Sequence, residues 1–388
     1  MRIAQLSDVY LPRLGGIEAH VHDVAIRQAA LGHTVDVLTT TSERAEQPPG
    51  PGSDDPVEPG VRVRRLHPAT SSVSGLRDYD VVHAHVSTMS PFAARVAAHA
   101  AMIGVPTVVT VHSLWEAIDP LPRLMVLTSG LRRAPVVWTA VSAVAARLVG
   151  STLPVGQHAH VLPNAVDPRL WRHAIGPRPA DGTLHVVSAM RFAVRKRPVP
   201  LLRIMRSVQD SLDAPVLRLT LVGEGSQRAA VERHVDRHGM RSWVQLTGRM
   251  DRAGVAGVLA AADVYISPGR KESFGLAPLE ARCAGLPVVG RSDSGLAEFI
   301  DHGREGLIAT SDAEMARHLR MLATSPELRE SIAAHNRATT TDLTWDAFLE
   351  RAEAIYQVAG ERAAARRSAA RAPRRLIRLR ADSVESNR

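Results

Sequence analysis

Two glutamates, Glu272 and Glu280, are separated by seven residues in the segment ESFGLAPLE. A carboxylate accepts hydrogen bonds from hydroxyl groups, so the pair can hold two hydroxyl-bearing parts of one ligand, a sugar and a ribose. Pro278 suits the first turn of a helix, where its missing N–H is harmless, and Gly285 marks the helix end. We therefore expect Glu272 in a loop and Glu280 on a helix. By itself the pattern fits equally well a loop glutamate and a helix-surface glutamate without a common ligand.

The backbone between the two acids predicts an anion site. The N–H groups of Phe274, Gly275 and Leu276 crowd the start of the predicted helix. Unpaired N–H groups at a helix N-terminus attract phosphate. The segment therefore favours a phosphorylated ligand.

Two cations follow a predicted strand in MRFAVRKRP, namely Arg191 and Lys196. A phosphate leaving group needs positive charge as its bond breaks, and these side chains can supply it without a metal. Lys196 is one of only two lysines in a chain that otherwise uses arginine, the other being Lys271. The alternative is a solvated basic loop.

Two further residues lie where predicted strands end. Gly16 follows the first strand in LGGI, where the lack of a side chain lets the backbone approach a diphosphate. A Gly-Gly pair alone usually marks only a turn. His112 ends the strand preceding Ser113, and that place at the carboxyl end favours a functional role over a structural one.

Other histidines are assigned to structure. His83 and His85 occupy alternate positions of a strand and form at most half of a metal site, because no cysteine or acid clusters with them. His20 and His22 are expected to pack or to face solvent. No metal site is predicted.

The elements that must position these residues alternate between strand and helix, which predicts parallel sheets covered on both faces. Strands are expected at 2–7, 34–39, 61–66, 80–85, 106–112, 136–141, 159–162, 184–189, 217–222, 243–247, 263–267 and 287–290, and residues 43–60 are expected to form a loop. The pattern breaks at 171–182. We therefore predict two doubly wound domains, 1–171 and 183–343, an amphipathic helix at 344–360 and a basic tail at 361–388.

Composition limits the function classes. The 388 residues carry a net charge of +9, but nine arginines and three acids lie in 361–388, so the body is nearly balanced. With 4% aromatic residues, a nucleic-acid-binding groove is disfavoured. A lone cysteine, Cys283, and the lack of a signal peptide or apolar span predict a cytoplasmic protein, soluble or peripheral on the membrane.

The segment ADVYISPGRKESFGLAPLEARCAGLPVVG resembles the signature of glycosyltransferase family 4. The resemblance extends over nearly the whole chain and implies the GT-B fold, in which two Rossmann-like domains face a cleft. It also implies transfer of a sugar with retained anomeric configuration. By resemblance, Glu272 contacts hydroxyls of the donor sugar and Glu280 the ribose. Met250, in the Gly248-Arg249-Met250 turn, lies where the family's backbone reaches the base.

The same resemblance implies a nucleotide diphosphate sugar as donor, with Gly16, Arg191 and Lys196 at its phosphates and His112 beside the transferred sugar. No separate cofactor is implied. The acceptor is expected to be a lipid, polyol or saccharide, and a GC-rich composition favours GDP-mannose over UDP-sugars. The alternatives are a sugar-nucleotide epimerase of the same architecture and a protein that binds nucleic acid through its tail. The tail is expected either to be solvated and disordered or to contact an anionic membrane, together with the apolar and basic segment 121–133.

Overall fold

A computed structural model describes residues 1–13, 15–43, 54–58, 60–68, 73–115, 120–154, 156–172, 182–212 and 217–371. For 54–58 and 369–371 it describes the backbone only. Leu14, the predicted linker residues 173–181 and the end of the basic tail, 372–388, lie outside the described residues.

The first sheet contains eight strands in the order β3-β4-β2-β1-β5-β6-β7-β8. Its inner strands are buried on both faces, as β5 shows with six buried residues in succession. All its pairs are parallel except β3 with β4. The strands are β1 (Arg2–Ser7), β2 (Thr34–Thr39), β3 (Asp54–Glu58), β4 (Val61–Arg65), β5 (Val81–Val86), β6 (Thr107–Val111), β7 (Val137–Ala140) and β8 (Ala159–Val161).

The described residues of this first half form the helices α1 (Gly16–Ala30), α2 (Pro91–Met102), α3 (Pro120–Thr128) and α4 (Ala143–Gly150). Their starts follow the local sequence. Pro91 opens α2, and the Ser142 side chain accepts a hydrogen bond from the Ala145 N–H at the start of α4. Gly16 is the first residue of α1, directly after β1 and its loop.

The second sheet contains six parallel strands in the order β11-β10-β9-β12-β13-β14. The strands are β9 (Leu184–Ala189), β10 (Leu217–Val222), β11 (Val244–Gly248), β12 (Val264–Ile266), β13 (Val288–Arg291) and β14 (Gly306–Ala309). The helices that cover it are α5 (Pro198–Gln209), α6 (Arg228–Arg237), α7 (Arg252–Ala260), α8 (Leu276–Cys283), α9 (Asp312–Thr324) and α10 (Pro326–Ala338).

The last helix, α11 (Trp345–Arg371), returns from the second half to the first sheet. Its residues Trp345, Phe348 and Tyr356 belong to the core that contains Ile3 and Val35. The order of elements therefore agrees with two doubly wound halves, and the domain boundaries at 171 and 183 stay a prediction.

The structure differs from the sequence prediction in three places. Strand β3 lies inside the predicted loop 43–60, and it escaped prediction because an edge strand can tolerate the proline and acids of DDPVE. Helix α11 continues beyond the predicted end at 360. Its extension is held because Arg362 donates to the Val136 carbonyl, Arg367 donates to the Gly104 carbonyl, and Ala363 is buried. Strand β14 was also missed.

Within the described residues, no helix is both long enough and apolar enough to cross a membrane.

Candidate functional site

A cavity opens between the two halves, at the carboxyl ends of the strands, where doubly wound domains place their ligands. Helix α1 contributes His20 and Asp23, and the second half contributes Arg252 and Glu280. The remaining lining comes from Trp345, Leu276 and the segment 165–171. The cavity thus contains residues of both halves and, through Glu280 and Leu276, two predicted site residues of α8.

Glu272 lies in the loop after β12, as predicted, and forms an ion pair with Lys196. Lys196 lies in the loop after β9. This loop is held in place because the Arg197 guanidinium binds the Asp312 carboxylate at 2.8 and 2.7 Å and the Pro268 carbonyl at 3.3 Å. The Glu272 carbonyl accepts from the Gly295 N–H at 2.7 Å. Two residues predicted for different parts of the donor are therefore brought together.

Helix α8 begins one residue after Gly275, whose φ of 101° lies in the left-handed region that favours glycine. A side chain there would also meet the Cβ atom of Leu296 at 3.2 Å. Phe274 is buried against Phe299, with ring centroids 5.2 Å apart. The first N–H groups of α8, including that of Leu276, directly follow the Glu272 loop, and the anion site there stays a prediction.

Glu280 lies on the second turn of α8 and lines the cavity. Burial raises the pKa of its carboxyl to about 8, while the Arg252 cation opposes the shift and Asp23 adds to it. A carboxylate with a strongly raised pKa in a cleft is typical of a ligand site. Arg252 itself binds Asp23 of the other half at 2.7 Å.

Arg191 follows β9 and lies across the cleft from α1, where its guanidinium is 4.0 Å from the Glu18 carboxylate. Glu18 is buried and also pairs with Arg13 at 3.0 Å. A Cβ atom on Gly15 would collide with the Glu18 carboxylate, whereas one on Gly16 would meet no atom within 4 Å. The backbone at Gly16 is therefore open on its side-chain face, and an acid already neutralises part of the charge of Arg191.

His112 lies just beyond β6 and is 8% exposed. Its carbonyl accepts from the Ser273 hydroxyl at 2.7 Å, which joins the histidine to the residue beside Glu272. Its Nε2 lies 2.9 Å from Nδ1 of His85. Burial lowers the pKa of His112 to about 3, so the imidazole is neutral at physiological pH.

His20, His85 and His112 form a buried cluster whose nitrogens lie within 4.8 Å of one another. Two histidines on one tetrahedral zinc, with bonds of about 2.0–2.1 Å, place their nitrogens about 3.3 Å apart. The 2.9 Å contact of His85 with His112 is instead a hydrogen bond. His20 packs between Trp345 and Phe348, with ring centroids at 5.5 and 5.1 Å. The cluster thus fits a packed, hydrogen-bonded core, and the absence of a metal stays a prediction.

Met250 lies in the turn between β11 and α7. Asp251 follows it and accepts from the Gly254 N–H at 2.8 Å, which starts α7 and so fixes the turn. Arg252, which lines the cavity, is the first residue of α7. The predicted base contact at Met250 is therefore two residues from the cavity lining.

Sequence reasoning missed Glu18, Asp23, Arg252 and Glu298. The Glu298 carboxylate accepts from the N–H groups of Ala143 and Val144, at 2.7 and 2.8 Å, and so binds the start of α4 across the halves. A signal existed for Glu18, which stands two residues after the glycine pair, and for Asp23, which is a second acid in the helix that follows that pair. Nothing in the local sequence indicated Glu298.

Two doubly wound parallel-sheet halves with a shared cleft, and carboxylates and cations at their strand ends, define the GT-B class of fold. The model of Glycosyltransferase Family 4 matches residues 14–170 and that of Glycosyl transferases group 1 matches residues 176–339. The chain belongs to glycosyltransferase family 4, and it is a glycosyltransferase of the type that uses nucleotide sugars.

Individual proteins are similar to this chain in sequence or in fold. A glycogen synthase of Mycobacterium tuberculosis is 28% identical over 93% of this chain and 96% of its own. A GDP-mannose-dependent alpha-(1-6)-phosphatidylinositol dimannoside mannosyltransferase of the same species is 38% identical, over 33% of this chain and 32% of its own. The structure of Anabaena Alr3699/HepE with UDP-glucose has a TM-score of 0.69 at 18% identity, covering 95% of this chain and all of the other.

Proposed function

We propose that this protein is a retaining hexosyltransferase that moves a sugar from a nucleotide diphosphate to a hydroxyl of a lipid, polyol or saccharide. GDP-mannose is the donor we favour, because the phosphatidylinositol dimannoside mannosyltransferase that is 38% identical over a third of this chain is GDP-mannose-dependent. UDP-glucose is the competing donor, because the HepE complex contains it.

The observation that carries the proposal is the ion pair between Lys196 and Glu272 beside the start of α8. A cation, an acid and a helix N-terminus there can bind a phosphate and a sugar hydroxyl in adjacent positions. Glu280, on the same helix, is assigned to the ribose. The two acids then bind different parts of one donor.

The proposed mechanism relies on positioning and electrostatics. Arg191, Lys196 and the Gly16 N–H stabilise the diphosphate as it leaves. His112 and Glu272 orient the sugar. The acceptor hydroxyl attacks on the face from which the diphosphate departs, and the leaving phosphate takes its proton, so no nucleophile of the protein is assigned.

The acceptor is proposed to enter along α3. Leu121, Leu124 and Leu127 of this helix are 46%, 57% and 56% exposed and recur every three residues, so they share one side. Arg132 and Arg133, just beyond the helix, are exposed. An apolar stripe flanked by arginines suits the surface of an anionic membrane, which supports a peripheral protein on the cytoplasmic face.

A thermal-shift titration with GDP and UDP, followed by turnover of the matching sugar nucleotides, tests the donor. A ligand that binds only the folded state raises the apparent melting temperature. Stabilisation by GDP alone and transfer from GDP-mannose are expected. Stabilisation by UDP alone would assign a UDP-sugar, and epimerisation of the nucleotide sugar without transfer would contradict the proposal.

A further inference from the structure

His112 stands at one end of a buried hydrogen-bond chain that extends away from the cleft. Its Nε2 lies 2.9 Å from His85 Nδ1, and His85 Nε2 lies 2.8 Å from the Gln5 side-chain carbonyl. All three residues are buried, at 8%, 1% and 0% exposure. The orientation of His112 is thus tied to a side chain on the central strand β1.

The chain continues to the last helix. The Gln5 amide donates to the Gln28 carbonyl at 2.7 Å, and the Gln28 amide donates to the Tyr356 hydroxyl at 2.9 Å. That hydroxyl also lies 2.9 Å from Nδ1 of His83. Tyr356, on α11, therefore joins glutamines on β1 and α1 to a histidine on β5.

The far end is a backbone carbonyl. His83 Nε2 lies 2.6 Å from the Thr110 hydroxyl, which lies 2.5 Å from the Thr139 hydroxyl. The Thr139 hydroxyl donates to the Val109 carbonyl at 3.4 Å. A carbonyl can only accept, so this end has a fixed direction.

Each hydroxyl and each neutral imidazole has one proton to donate, so that direction propagates. Thr139 gives its proton to Val109 and must accept from Thr110. Thr110 must then accept from Nε2 of His83. His83 consequently accepts at Nδ1, from the hydroxyl of Tyr356.

The remaining links follow in the same way. Because the Tyr356 proton is used, its oxygen accepts from the Gln28 amide, whose carbonyl accepts from Gln5. The Gln5 carbonyl then accepts from His85 Nε2–H. His85 is left with Nδ1 as an acceptor, to which His112 must donate from Nε2.

Burial keeps the imidazoles of His83, His85 and His112 neutral, so each has one proton to donate. It lowers the pKa of His83 and of His112 to about 3 and that of His85 well below the ordinary value. The direction of the chain would be undefined if any of them carried two protons.

We propose that Tyr356 and Thr139 are positioning residues for the transfer reaction, because the chain they complete holds the proton of His112 on Nε2 and leaves Nδ1 as the acceptor for a substrate hydroxyl. The link to catalysis rests on the proposed function, whereas the tautomer is a property of the protein alone. Tyr356 would thereby couple α11 to the sugar end of the cleft.

The test is the tautomer of His112 in the ligand-free protein, from long-range ¹H–¹⁵N correlation spectra assigned with a His112→Gln variant. We expect protonation at Nε2 in the wild type. Tyr356→Phe and Thr139→Val should each give mixed tautomers, and Thr139→Ser should restore Nε2. Tyr79→Phe is the matched control, because it removes another buried hydroxyl of the same half, bonded to Asp36 instead of the chain.

Kinetics then test the catalytic link. Tyr356→Phe and Thr139→Val should lower kcat by about tenfold, equivalent to about 1.4 kcal/mol, with the donor KM unchanged. Tyr79→Phe should keep the wild-type kcat. A wild-type His112 protonated at Nδ1, or wild-type tautomers in both folded variants, would overturn the proposal. Absence of any transfer by the wild type would instead refute the proposed function while the tautomer measurement still stands.

Discussion

Lys196 and Glu272 form an ion pair although they lie on separate loops of the second half. In the proposed donor complex they have different partners, a phosphate and a sugar hydroxyl. A donor must therefore exchange this pair for its own contacts. The ion pair keeps both side chains at the site in the empty protein.

Replacing Glu272 with Ala should leave binding of free nucleotide diphosphate equal or stronger, because Lys196 loses a competing partner, and should lower kcat. Replacing Lys196 with Ala should weaken diphosphate binding by about 1.5–3 kcal/mol, the range for a hydrogen bond to a charged group. Isothermal titration with nucleotide diphosphate checks both variants. Equal losses of affinity in the two would contradict the assignment of one residue to phosphate and the other to sugar.

Substitutions of Arg191 and of Glu18 should change diphosphate affinity in opposite directions. Arg191→Ala should weaken diphosphate binding by about 1.5–3 kcal/mol. Glu18→Gln should strengthen it, because a negative charge 4.0 Å from the Arg191 guanidinium is removed. The control is Arg195→Ala, an exposed arginine of the same loop. If Arg195→Ala costs as much affinity as Arg191→Ala, a diffuse basic loop explains binding better than a defined contact.

Nucleotide binding should depend on pH through Glu280. Its carboxyl, with a pKa raised to about 8, holds a proton at neutral pH, while a ribose hydroxyl binds the carboxylate better. Affinity should therefore rise as the pH increases from about 6.5 to 8.5, and binding at pH 7 should release a proton. Calorimetry in buffers of different ionisation enthalpy measures the release. Glu280→Gln should abolish it, and an unchanged release in that variant would assign the proton to another group.

The raised pKa of Glu280 should also make folding stability fall as the pH rises, whereas nucleotide affinity rises. A folded-state pKa above the ordinary value of about 4.5 means that the folded protein keeps a proton the unfolded chain loses. The stability that Glu280 contributes in acid is therefore lost as the pH rises from about 4.5 to 8. Denaturant titrations at pH 6 and pH 8.5 should show a smaller decline for Glu280→Gln than for the wild type. Parallel declines would place Glu280 in a solvated setting.

The sequence predicted most strands within one or two residues, because buried parallel strands such as β5 are apolar throughout or nearly so. It also predicted the loop position of Glu272 and the helical position of Glu280. Contacts between the halves could not be predicted from the sequence, because the pairing of Asp23 with Arg252 depends on how two distant segments meet. The same holds for Tyr356, whose position in an amphipathic helix indicates burial and no specific partner.

Membrane contact should depend on α3. Replacing Leu124 and Leu127 with Ser should reduce co-sedimentation with anionic vesicles, because both leucines are more than half exposed. Met321→Ser, at a residue 47% exposed on the second half, is the control. Truncation after Arg371 tests the tail without removing the contacts of Arg362 and Arg367. Binding that neither the α3 variant nor the truncation reduces would exclude both segments.

We propose above all that this chain transfers a hexose with retention. The most direct measurement is ¹H NMR of the reaction with GDP-mannose and UDP-glucose in the presence of a lipid, polyol or saccharide acceptor. We expect release of the nucleoside diphosphate and a product whose anomeric configuration equals that of the donor, with both reduced in Glu272→Ala. A product of inverted configuration, or wild-type transfer by Glu272→Ala, would contradict it.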